Sequence, residues 1–202
     1  LVREPEPTVS IVPTGPGKTE KLSLGTLAEI KWGGWLPDGR ILIHAKKDKN
    51  DDPGIFVLSA DGDDPKPLVP AGVSIPEQRE RSGVSGISPH GTWLVAADIA
   101  GKPVLCTIET GKCEPVNGMN DAENLAGWSA NGSNLLVYER TPGEVEIHQL
   151  DPVSGKRSLW RKIKPARSSS SGVYSLFVSA KGTVAYGYQE EISKLYLVKG
   201  LE

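Results

Sequence analysis

The stretch Gly86-Ile87-Ser88-Pro89-His90-Gly91-Thr92-Trp93-Leu94-Val95-Ala96-Ala97 decides the fold. A short apolar run meets Ser-Pro-His-Gly and re-emerges as a longer apolar run, which is how two strands joined by a tight turn are written. The same phrase stands three more times, as Leu36-Pro37-Asp38-Gly39, Ser129-Ala130-Asn131-Gly132 and Ser179-Ala180-Lys181-Gly182. A tight turn recurring at such intervals is the mark of a β-propeller, whose blades repeat one small antiparallel sheet.

Working outward, each full unit has a second turn about two strands after the first. It is Ser59-Ala60-Asp61-Gly62 in one unit, Ile108-Glu109-Thr110-Gly111 in the next, and Leu150-Asp151-Pro152-Val153-Ser154-Gly155 in the third. Strand-like runs separate the turns, at 41–45, 55–58, 93–97, 104–108, 135–138 and 145–150. Runs such as Ile41-Leu42-Ile43 and Leu135-Leu136-Val137 are apolar on both faces, as strands sandwiched between neighbouring sheets must be. No window shows helical periodicity.

The expected architecture is therefore all-β: a propeller of four-stranded antiparallel blades, forming a single domain or part of one over residues 1–202. Three blades read as complete, near 29–70, 84–117 and 124–163. A fourth opens at 173 and runs to 198 without a last strand. Residues 9–24 read as the outer half of another blade. Two closures are open. Residues 21–24 zip onto 195–198 and close a four-bladed ring, or further blades belong upstream and the exposed edges self-associate.

Bulk composition narrows the partners. With 202 residues the chain can bury a sizeable core, and its 23 Gly and 16 Pro suit a turn-rich chain. The 23 basic and 25 acidic residues nearly balance, so no electrostatic case arises for nucleic acid. No apolar run is long enough to insert in a membrane. The chain begins at Leu1 and carries no signal-peptide pattern, as expected of an excised or processed part of a longer protein. Cys106 and Cys113 flank one turn. They are either a cross-hairpin disulfide of an oxidising compartment or two separate thiols, because sequence does not set the register.

No motif announces chemistry. Gly15-Pro16-Gly17-Lys18-Thr19 resembles the end of a phosphate-binding loop, but Val12 stands where the pattern needs Gly and no helix follows, so it reads as a hairpin turn. Gly83-Val84-Ser85-Gly86 fails as a nucleophile elbow at Ile87. His44, His90 and His148 fall in different blades, which leaves no nucleophile–base pair and no zinc set. The oxygen-rich loops with Asp48, Asn50, Asp51, Asp52 and then Asp61, Asp63, Asp64 miss the calcium-loop pattern at Pro53 and Ser59 and read as solvated turns. The expectation is no catalytic residues, no metal and no cofactor.

Recognition is then assigned to connectors between blades, where loops on a rigid scaffold do most binding. The candidate residues are Gln78, Arg79 and Arg81 in one connector, with Lys164 and Arg167 in another. The partner would be a protein, a peptide or a small molecule. Trp93 should be core, while for Trp32, Trp35 and Trp128 on innermost strands both packing and ligand contact are open.

The Ser-Pro-Asp-Gly-like turn followed by an apolar strand resembles the TolB-type, WD40-like propeller repeat. A narrower resemblance lies in Leu159-Trp160-Arg161-Lys162-Ile163-Lys164-Pro165-Ala166, Val173-Tyr174-Ser175-Leu176 and Leu195-Tyr196-Leu197-Val198-Lys199-Gly200-Leu201. It is similar to the C-terminus of bacterial receptor-type serine/threonine kinases, in which a propeller follows the kinase domain, often across a membrane segment. The resemblance implies a non-catalytic sensory propeller, held extracytoplasmically by a membrane-anchored parent. The kinase motifs themselves are absent. Two other readings of the fold are an accessory propeller beside a prolyl oligopeptidase-like hydrolase and a TolB-like periplasmic scaffold.

Overall fold

The computed structural model describes residues 8–25, 27–48, 50–59, 65–76, 86–141, 143–164, 173–188 and 194. Among these the regular elements are all strands, and every pairing is antiparallel. β1 (Thr8–Ile11) and β2 (Glu20–Ser23) form a hairpin. β3 (Glu29–Trp35), β4 (Ile41–Lys46), β5 (Gly54–Leu58) and β6 (Lys66–Pro67) form a four-stranded sheet in chain order. β7 (Trp93–Ala97), β8 (Pro103–Thr107) and β9 (Cys113–Pro115) make the next. β10 (Glu123–Trp128), β11 (Leu135–Glu139), β12 (Val145–Leu150) and β13 (Arg157–Ile163) make a second four-stranded sheet, and β14 (Val173–Val178) pairs with β15 (Val184–Tyr188).

Sheets that meander in chain order and stack on their sequence neighbours are propeller blades. The alternation along single strands shows the stacking. In β4, Leu42 joins the cluster shared with the following sheet, while Ile41, Ile43 and Ala45 join the cluster beneath the β1–β2 hairpin. In β11, Leu135 and Val137 pack toward β7–β9, whereas Leu136 and Tyr138 pack toward β14. Burying both faces explains why these strands carry almost no polar residue.

Among the described residues, the inner edge of the β7–β9 sheet carries two isolated bridges, Ser74 to Ala97 and Ile87 to Leu94. Val73 and Ile75 are core residues on either side of the first bridge. The segment 71–76 thus belongs to the sheet, although its sequence reads as part of a surface connector.

The repeated turn has a common cause. The Ser88 hydroxyl accepts hydrogen bonds from the backbone N–H of Thr92 (3.2 Å) and Trp93 (3.0 Å), and the N–H of Gly91 donates to the Ser88 carbonyl (2.9 Å). Ser129 and Ser179 repeat this, accepting from Asn134 (3.0 Å) and Thr183 (3.1 Å). Where Leu36 replaces the serine, the Asp38 carboxylate takes over and accepts from the Arg40 N–H (3.0 Å) and Nε (2.8 Å). Gly91 sits at φ 68° and lies directly on the Pro37 ring, so the turn of one sheet packs on the proline of the sheet before it.

Of the two readings open for the cysteines, the structure takes the cross-hairpin disulfide. Cys106 and Cys113 are register partners across β8 and β9 and are joined as a disulfide. Residues 14–16 are part of the turn between β1 and β2, so the phosphate-loop-like stretch is a hairpin connection. The closing segment 195–198 lies outside the described residues.

Candidate binding site

The ends of the sheets that carry the blade-to-blade connectors enclose a cavity of about 290 Å³ between β7–β9, β10–β13 and β14. Three kinds of segment meet there. The β7–β8 turn supplies Lys102, the connector into β10 supplies Asn120 and Asp121, and the end of β11 supplies Tyr138 and Arg140. Ser175 of β14 closes the far side.

The connector is braced by its own side chains. The Asn120 N–H donates to Glu123 Oε2 (3.0 Å), and the Asn120 side-chain amide donates to Glu139 Oε1 (2.9 Å) while its oxygen accepts from the Ala122 N–H (2.9 Å). Lys102 Nζ donates to both oxygens of Asp121, each at 2.7 Å. The Asp98 carboxylate shapes the β7–β8 turn by accepting from the N–H groups of Ala100 (2.9 Å) and Lys102 (2.8 Å). Polar groups tied to backbone in this way keep a loop in one shape, which pre-organises a site.

A second cleft, of about 440 Å³, runs along β11–β13 and is lined by Glu139, Glu144, Glu146 and His148 among others. Its acids are engaged. Lys162 Nζ lies 2.6 Å from Glu146 and 3.4 Å from Glu144, and that ammonium, through its hydrogen bond and its charge, holds the Glu146 carboxyl below its ordinary range. Arg157 pairs with Glu123. Among the described residues no group of three or more His, Cys, Asp or Glu side chains could hold a metal ion.

The structure distributes the sequence-predicted residues as follows. Gln78, Arg79, Arg81 and Arg167 lie outside the described residues. Lys164 is exposed just beyond β13 and does not line the cavity. Of the histidines, His44 is buried in β4, His148 is half-buried beside Glu146, and His90 is exposed in its turn. Ser85 and Asp61, Asp63 and Asp64 lie outside the described residues, while Asp48 accepts from the Asn50 N–H (3.3 Å) as an ordinary turn residue.

The tryptophans divide. Trp128 is buried, Trp93 and Trp32 are partly buried against the core, and Trp35 is 55% exposed. Sequence reasoning passed over Lys102, Asn120, Asp121, Tyr138, Arg140 and Ser175. The polar run Asn117-Gly118-Met119-Asn120-Asp121 between two blades was the available signal, since it is a connector like the two that were singled out. Tyr138 gave none, because in sequence it is the last apolar residue of a buried strand.

No protein-family model matches the chain, and no curated protein matches it in sequence. Solved structures do match in fold. A TolB-assigned protein of Agrobacterium tumefaciens superposes with a TM-score of 0.58 at 18% identity, over 88% of this chain and 61% of that one. TolB of Acinetobacter baumannii does so with a TM-score of 0.54 at 15% identity, over 91% of this chain and 46% of that one. The chain thus spans less than two thirds of either protein, and it has the β-propeller fold that they share.

Proposed function

We propose that this chain is a non-catalytic recognition propeller that binds its partner at the connector end of the blades. The observation that carries the reading is the cavity there, built from three successive sheets and braced by Asn120, Asp98 and the Lys102–Asp121 pair. Concave sites with a few fixed polar groups are where proteins take small ligands and side chains. The partner is a protein, a peptide or a small molecule. The Cys106–Cys113 disulfide supports an extracytoplasmic location, since such pairs persist where thiols are not kept reduced.

The finer reading is the sensory end of a membrane-anchored bacterial receptor-type serine/threonine kinase. It rests on the C-terminal sequence resemblance. Ligand binding would bias the kinase by changing how receptors associate. The fold likeness favours one other reading, a TolB-like periplasmic scaffold, and fold alone does not choose between them.

Two observations test this. The coding sequence upstream separates the parents, since kinase motifs support the receptor and a small α/β domain the scaffold. Photo-crosslinking in the native cell tests the binding face. A photoreactive residue replacing Lys102 should capture a partner, and one replacing Lys156 at the opposite end should not. Capture from position 156 alone, or from neither, overturns the assignment.

A further inference from the structure

We propose that the connector-end cavity receives a single carboxylate of its ligand, held by Arg140 with the hydroxyls of Tyr138 and Ser175. The inference rests on the binding role proposed for this cavity and specifies its chemistry.

Among the described residues four charged side chains line the cavity. Lys102 and Asp121 neutralise one another at 2.7 Å, and Glu123 is paired with Arg157 from β13. Arg140 is left. It is exposed, and among the described residues no hydrogen bond or ion pair reaches its guanidinium. Among its described residues the cavity therefore presents one uncommitted positive charge.

Tyr138 adds a second observation. It is only 3% exposed, its ring packs in the core between β11 and β14, and it lines the same cavity. No hydrogen bond among the described residues reaches its hydroxyl, and the hydroxyl is not one of the polar atoms sealed away without a partner. Buried polar groups are satisfied in folded proteins, so a phenol that opens onto a cavity and meets no protein acceptor is set to donate to a ligand. Ser175 lines the same wall and its hydroxyl is likewise uncommitted.

One guanidinium flanked by two hydroxyl donors suits a planar monoanion, because the arginine fork matches both oxygens of a carboxylate. A phosphate dianion would ask for a second free cation, and Lys102 is committed to Asp121. At about 290 Å³ the cavity admits a side chain or a chain end and not a large ligand. The carboxylate could belong to an acidic side chain, to a peptide C-terminus or to a free acid.

The test is titration of the ¹⁵N-labelled 202-residue chain, followed by amide NMR. The probes are N-acetyl-glutamate amide (a side-chain carboxylate), N-acetyl-alanine (a terminal carboxylate), acetate, and neutral N-acetyl-glutamine amide. At least one carboxylate should shift the amides of residues 102, 121, 140 and 175 and bind about tenfold more tightly than the neutral probe. The three acids tell the sources apart. Arg140→Gln should erase that preference, and Tyr138→Phe, which keeps the ring, should weaken the acid about three- to tenfold. Lys162→Gln, a remote surface cation, should change nothing. A neutral probe that binds as well overturns the carboxylate assignment while leaving a binding cavity. Failure of every acid to shift these amides, or indifference to Arg140→Gln, also overturns it, and crosslinking from position 102 then judges the binding role separately.

Discussion

The indole Nε1 of Trp128 donates a 3.0 Å hydrogen bond to the carbonyl oxygen of Gly86, tying the innermost strand of one sheet to the inner edge of the sheet before it. Both residues are buried, so the bond is shielded from water. Trp128→Phe removes this bond while the Gly86 carbonyl keeps its other donor, the Val95 N–H at 2.9 Å. The expected cost of the lost hydrogen bond is about 0.5–1.5 kcal/mol of stability, read from the chemical-denaturation midpoint. No change would mean that water takes over the bond.

Gly111 ends the turn between β8 and β9 at φ 68°, and a Cβ there would run into the Leu68 carbonyl of the preceding sheet. Two penalties add, a strained backbone conformation and a displaced backbone oxygen. Gly111→Ala should destabilise by about 2–4 kcal/mol. Gly101 has a similar φ of 78° with open space around its Cβ direction, so Gly101→Ala should cost only the backbone part, about 1–2 kcal/mol. Comparing the two melting temperatures isolates the inter-sheet contact.

The Cys106–Cys113 bridge closes a short loop, with a sequence separation of 7. In the chain-entropy account its reduction should cost about 2–3 kcal/mol and lower the melting temperature without changing the fold. Thermal unfolding with and without reductant measures this. Ready maleimide labelling of the native protein taken from its own compartment would contradict the paired state.

The Asp151 carboxyl should titrate below its ordinary value near 3.8, because the Ser154 hydroxyl and the N–H groups of Val153 and Ser154 donate to its ionised form. A depressed folded-state pKa contributes stability above the unfolded value. That contribution is lost as pH falls through the folded pKa, so this turn should loosen only in acid below about 3.8. Carboxyl-carbon NMR titration reads the shift directly, and Ser154→Ala should return the midpoint toward the ordinary value.

The two connectors singled out in the sequence and the cavity proposed as the site are conspicuous in different ways; residues 78, 79, 81 and 167 lie outside the described residues. Arg79 and Arg81 stand out in sequence because charged runs are conspicuous. The cavity instead combines one residue from a β7–β8 turn, a short polar connector and the end of a buried strand. Tyr138 could not be assigned in advance, since a strand-end tyrosine reads the same whether its hydroxyl meets protein, water or ligand. Segment 71–76 misled for a related reason. Its pairing depends on one distant partner, Ala97, and nothing local announces it.

The sequence by itself determined the all-β class, the blade repeat and the turns, because these depend on residues a few positions apart. Alternating apolar runs specify strands, Ser88, Ser129 and Ser179 bond backbone within five residues, and Gly completes each turn locally. Only the tertiary structure decided the register that pairs Cys106 with Cys113, the hydrogen bond from Trp128 to Gly86, and the pairings that leave Arg140 uncommitted among the described residues of the cavity. Those depend on how successive sheets twist and stack, a relation between segments tens of residues apart that no local pattern encodes.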